Sequence, residues 1–209
     1  MARIVEVERP AVRSVKQPDV RKDEIVAAAR ALFAERGIAK TSISDVAERA
    51  GITRGLVYHY FVDKDTLVDV VLEDYIAELV ESIRQWDAER EVGNIDKALA
   101  DCIALFRRHL QGRDSLGADL PRIENAGLYT RFLDRAVRAM VDCLASTTVE
   151  AYARRHRIEI HHVYETFYVL VHGLIGLARS DPDIDDAVLI AIVRQTLRLA
   201  PGDSEGAGR

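Results

Sequence analysis

Residues 42 to 64, SISDVAERAGITRGLVYHYFVDK, place two helix starts, a glycine turn and a third helix start so close together that only two short helices packed at an angle can satisfy them. Ser42 can cap the first helix with its hydroxyl, and Asp45, three residues on, completes a capping box. Ile43, Val46, Ala47 and Ala50 then form one apolar stripe. Gly51 permits the left-handed conformation that ends a helix and turns the chain. Thr53 is the next cap, and Val57 and Phe61, four apart, turn with Ile52 and Tyr60 toward the first helix.

That packing leaves Arg54, Gly55, Leu56, Tyr58 and His59 on the outside or at the leading end of the second helix. The exposed surface mixes a cation, hydrogen-bonding groups and a site of close backbone approach. An α-helix fits the DNA major groove, where such groups meet base edges.

Three runs, IVAAARALFAERGI, TSISDVAERAGITRGLVYHYF and DKDTL, stand in this order and spacing between about Lys22 and Tyr75. Together they resemble the N-terminal domain of TetR-type transcriptional regulators, over the first third of the chain. The resemblance implies a helix-turn-helix that binds double-stranded operator DNA. It puts Thr41, Ser42 and Ser44 against the sugar-phosphate backbone, where hydroxyls at a helix start suit phosphate oxygens; capping alone is the other reading of Ser42. It puts Thr53, Arg54, Gly55 and Leu56 toward bases. Arg54 can donate twice to guanine or grip phosphate instead, and Leu56 can meet a thymine methyl. Tyr58 and His59 match the backbone-contacting pair, with local packing as their alternative. Lys64 brings a cation to a positive helix end, favourable near phosphate. Leu56 departs from the small hydroxyl residue expected at its position.

Charge follows the same division. The chain of 209 residues carries −5 overall, yet residues 1 to 64 hold 12 Lys and Arg against 9 Asp and Glu, a net +3 that leaves −8 for the remainder. A uniformly acidic surface repels DNA, whereas this split does not. So small an excess makes one copy a weak binder, and two copies on two half-sites are needed. Residues 1 to 18 read as a flexible basic arm with Arg3, Arg9, Arg13 and Lys16, able to lie along DNA or to make no contact at all.

Elsewhere the pattern is helical throughout. A first helix buries Ile25, Ala29, Leu32 and Phe33 and stops at Gly37; a long one runs from Asp63 as cap to about Arg90 with Leu67, Val71, Tyr75, Leu79 and Ile83 on one side. Further helices are predicted over about 95 to 111, 126 to 156, 161 to 179 and 188 to 197, with Gly112, Gly117 and Pro121 breaking the chain between the first two. The fold class is all-α: a three-helix helix-turn-helix domain over 19 to 64, and a larger helical domain over 65 to 200 with a disordered tail from 201 to 209. The resemblance makes the larger part an effector-binding and dimerisation domain.

Within that domain Phe106, His109, Tyr129 and Phe167 are the candidates to line a small-molecule pocket, drawn from a wider aromatic set that includes Trp86 and Phe132. Tyr168, Val171, Gly173, Ile175, Leu189, Ile192 and Val193 are the candidate dimer contacts, since the last two helices are apolar over more than one face. An intramolecular core is the alternative. His161, Glu165 and His172 lack a fourth ligand and read as structural or pocket side chains, so no metal site is assigned. Cys102 and Cys143 read as buried thiols, with a redox pair as the other possibility. No nucleophile with a placed base and no phosphate-binding glycine loop is present, so neither catalysis nor a cofactor is indicated.

The combined expectation is a homodimeric, cytoplasmic, ligand-responsive regulator without a membrane span, a repressor released from a palindromic operator by an unknown small molecule. The alternatives are an activator or co-repressor-dependent regulator of the same fold, and a helical binding protein or enzyme with a vestigial head.

Overall fold

A computed structural model describes residues 18–110, 126–154 and 157–199. Residues 1–17 of the expected basic arm, the break at Gly112, Gly117 and Pro121, His156 and the tail fall outside the described residues, while Pro18 already belongs to the first helix.

Every described element is helical: α1 (Pro18–Arg36), α2 (Ile43–Arg49), α3 (Arg54–Tyr60), α4 (Lys64–Glu89), α5 (Ile95–Leu110), α6 (Ala126–Leu144), α7 (Val163–Ser180) and α8 (Asp186–Leu197). Helix α6 runs on through a π-helical segment, Ala145–Val149, to Glu150–Ala153. The starts follow local chemistry. Ser42 and Asp45 form the reciprocal capping box, Thr53 Oγ1 accepts from Leu56 N, and the Asp63 side chain accepts from Thr66 N. Each such cap contributes about 1 kcal/mol.

Helices α1 to α3 and the first turns of α4 enclose one core, in which Ile25, Ala29, Phe33, Val46, Val57, Phe61, Leu67 and Val71 are buried together. Two further cores lie in the body. One joins Ile83 of α4 to Leu105, Val137, Met140 and Ile175; the other joins Ile103 of α5 to Leu170, Leu174, Leu189 and Val193 of the last two helices. Helix α4 therefore supplies both halves of the molecule. Helix α6 ties them together: Leu128, Tyr129 and Phe132 pack against the head core, and Arg135 pairs with Asp69 (3.3 Å) and Glu73 on α4.

Candidate functional site

The head presents α3 outward. Gly51 at φ +64 makes the turn that L side chains resist, and Ile52 N closes it onto the Ala47 carbonyl at 2.9 Å. Val57 is completely buried and fixes the helix's rotation, so Arg54, Gly55, Tyr58 and His59 are exposed and Leu56 is half-buried. Arg54 lies over the Tyr58 ring and donates to its hydroxyl at 3.0 Å. The pair keeps the guanidinium extended along the outer face. At Gly55 an added Cβ would meet nothing within 4 Å, so no packing inside the chain requires glycine there. A glycine that weakens a helix without serving its own fold leaves room for another molecule's backbone or bases.

Ser42 and Ser44 are exposed at the start of α2. The Ser42 hydroxyl is engaged with Asp45, 2.7 Å away, and these bonds hold the Asp45 carboxyl below its ordinary range. Of the expected phosphate contacts, Thr41 requires correction, and Lys64 is engaged within the chain. Thr41 is only 2% exposed, and its hydroxyl donates inward to the Gly37 carbonyl at 2.8 Å, closing the end of α1. Lys64 is partly buried with its ammonium on the Ile38 carbonyl, and desolvation pushes its pKa down. Both side chains secure the corner between α1 and α2. Sequence alone records the hydroxyl and the cation but not that each faces a carbonyl of the turn that follows α1.

In the body, α4 to α8 surround a cavity of about 1440 Å³, larger than most small-molecule sites. Phe106, His109, Tyr129 and Phe167, which come from three different helices, all reach its wall. His109 Nε2 lies 2.8 Å from Ser82 Oγ, and the Tyr129 hydroxyl accepts from Arg179 at 2.7 Å. Trp86 and Phe132 of the wider aromatic set line it as well, and the structure adds residues that spacing did not single out: Arg30 from α1 and Tyr75 and Glu78 from α4. Arg30 lies 4.4 Å over the Tyr75 ring and pairs with Glu78 at 2.7 Å. Helix α1 of the head thus forms part of the cavity wall. Cys102 also lines it, a free thiol that burial pushes up to about 11; Cys143 is free and buried in the core beside it.

The expected dimer contacts divide. Ile175, Leu189 and Val193 lie in the chain's own cores, Val171 lines the cavity, and Tyr168 donates its hydroxyl to Asp134 at 2.6 Å. Ile175, Leu189 and Val193 are turned away from the surface, a correction to the expected interface, whereas Tyr168 and Val171 stay half-buried. Gly173 is exposed, and Ile192 borders a groove between α7 and α8 together with Val169, which is 69% exposed. Gly173 and Gly176 also have open space around them. Periodicity marks a buried face but does not distinguish burial inside one chain from burial against another.

Among the described residues no group of three or more His, Cys, Asp or Glu side chains is arranged to hold a metal ion. No described helix is long and apolar enough to cross a membrane.

Comparison with known proteins agrees with this geometry. Residues 25–71 match the family of bacterial regulatory proteins, tetR family. The transcriptional repressor KstR2 of Mycolicibacterium smegmatis is 42% identical over 60 residues, 29% of each chain. A probable transcriptional regulator of Pseudomonas putida, ArpR, is 35% identical over 81 residues, 36% of this chain and 39% of that one. The matched stretch therefore spans well under half the length of these relatives. Solved structures extend the likeness of fold. RolR with resorcinol bound superposes with a TM-score of 0.62 at 20% identity, over 91% of this chain and 96% of that one. FadR of Bacillus subtilis in complex with stearoyl-CoA gives 0.54 at 18%, over 85% and 96%.

Proposed function

We propose that this chain, whose N-terminal domain belongs to the tetR family of bacterial regulatory proteins, is a homodimeric repressor that reads operator DNA with α3 and is released by a small molecule bound in its body. The observation that carries the reading is the outer face of α3. Arg54, Gly55, Tyr58 and His59 are exposed side by side, and the open space at Gly55 has no use inside the chain. Arginine on such a face recognises guanine through two N–H donors, and the exposed Ser42 and Ser44 at the start of α2 suit phosphate. The likeness to the repressor KstR2, 42% identical over 60 residues, supports the same reading.

Two reading heads are needed because one carries so little positive charge. A second copy meets the first along the outer face of α7 and α8, through Val169, Gly173, Gly176 and Ile192, where the exposed glycines let helices approach closely. Release follows from the cavity wall. Tyr129 and Phe132 line the cavity and also pack on the head core, and Arg30 lines it from α1. A bound molecule therefore touches the residues that set the head's position, and it shifts the equilibrium if it favours one head spacing over the other.

The test is selection of bound sequences from random DNA by the purified protein, repeated with Arg54→Ala. The expected result is a two-fold-symmetric site, with the substitution weakening binding by about 1–3 kcal/mol and relaxing one base position in each half. Equal binding to all sequences would refute the reading.

A further inference from the structure

Several polar groups in the cavity wall are already paired with neighbours: His109 with Ser82, Tyr129 with Arg179, Glu78 with Arg30, and Thr148 with Asp87. Trp86 differs. Its ring lines the cavity, and its indole nitrogen is buried with no acceptor among the described residues. An indole N–H can only donate, and burying it unpaired is a cost that phenylalanine of nearly the same shape would not carry.

One turn further along α4, Arg90 lines the same wall, largely buried, with its Nε donated to Asp87 at 2.8 Å. Asp87 also accepts from Thr148 at 2.6 Å. Thr148 stands in the π-helical segment, whose widened turn carries it and Val149 into the cavity wall. Segments of this kind recur at functional sites. The neighbouring Ser146 and Thr147 hydroxyls donate back to the carbonyls of Asp142 and Cys143. The cavity thus has a polar end, with Trp86 and Arg90 as donors. Tyr75, on the head side of the same wall, lies about 22 Å from Arg90 along α4 at the helical rise per residue.

We propose that the cavity takes an elongated apolar molecule with an acceptor oxygen, carbonyl or carboxylate, at one end, and that Trp86 Nε1 and Arg90 receive this oxygen at the end remote from the head. The inference rests on the reading of the cavity as the effector site. It assigns the apolar body of the ligand to the aromatic wall and its far tip to Tyr129 and Phe132, which pack on the head.

Trp86 is the chain's single tryptophan, so its indole N–H gives one resolved proton–nitrogen resonance. The probes are decanoate and decylammonium, which share one chain length but carry an acceptor head and a donor head. Decanoate is expected to move the indole resonance to lower field and to bind about tenfold more tightly than decylammonium, the factor of one charge-assisted hydrogen bond. Trp86→Phe should lower decanoate affinity by about the same factor, leave decylammonium unchanged and raise the melting temperature of the unliganded protein. Decanoate binding with an unmoved indole resonance, equal loss of both probes in Trp86→Phe, or no binding of either probe would overturn the proposal. Operator affinity measured alongside separates it from the reading it rests on. An indole shift without operator release keeps the site and removes the response, whereas release by a small molecule with the indole unmoved overturns the site.

Discussion

The head and the body pack their helices in different ways. In the head, Ile25, Ala29, Phe33, Val46, Val57, Phe61, Leu67 and Val71 are each no more than 1% exposed, so the apolar faces close on one another. In the body, Val137, Val141 and Leu189 are as fully closed, but half-buried aromatic residues such as Trp86, Phe106 and Phe167 surround an open volume instead of filling it. The head is a small rigid part whose exposed face must hold one shape. The body gives up packing for space that a ligand can occupy, and a cavity left unfilled forfeits dispersion contacts along its wall. Helix α4 takes part in both regimes, since Leu67 and Val71 lie in the closed core and Trp86 lines the cavity.

The largest effect should come from cutting equal side chains out of the two regions. Phe61→Ala should destabilise the protein by about 3–5 kcal/mol in chemical unfolding, because the tight core cannot collapse around the gap. Phe106→Ala, beside space already open, should cost clearly less. Equal losses would erase the distinction between the regions.

A smaller effect separates the groove on α7 and α8 from the cores beneath it. Gly173→Ala should stabilise the isolated chain by roughly 0.5–1 kcal/mol through helix propensity, yet make the dimer dissociate at higher concentration in sedimentation. Leu189→Ala should instead lower stability without a specific effect on association, since Leu189 is wholly buried in its own chain. If Gly173→Ala leaves dimerisation intact, the interface lies elsewhere.

The smallest effect concerns pH. Hydrogen bonds from Ser42 hold Asp45 below the ordinary carboxylate range, and those from Thr66 do the same for Asp63. A depressed folded pKa gives stability that is complete above the unfolded value of about 4 and is lost as pH falls through the folded value. The head should therefore loosen in acid below about pH 4, and Asp45→Asn should flatten that part of the profile followed by circular dichroism. An unchanged acid profile in Asp45→Asn would show that the capping box adds nothing to the head's pH response.

The head was legible in the sequence because its signals are local. A cap, a glycine turn and an apolar stripe each act within a few residues, and the starts at Ser42, Thr53 and Asp63 follow from them. The body was legible as helices and as a pool of aromatic residues. Its cavity was not, since convergence of Phe106, Tyr129 and Phe167 depends on packing angles that spacing does not carry. The π-helical segment left one trace, the run Ser146, Thr147, Thr148, whose hydroxyls compete for helix carbonyls. Thr41 and Lys64 turn toward their own chain for one shared reason. Each reaches a carbonyl of the turn after α1, a contact that residue type and spacing do not carry.

Gly55→Ala tests the central claim most directly, through operator affinity measured with thermal stability on the same sample. If the open space on α3 exists for DNA, the variant melts at a higher temperature and binds its selected operator more weakly by an order of magnitude or so, the scale of one lost base contact. A variant that gains stability and binds the operator as tightly as the parent would contradict the assignment of this face as the DNA-reading surface.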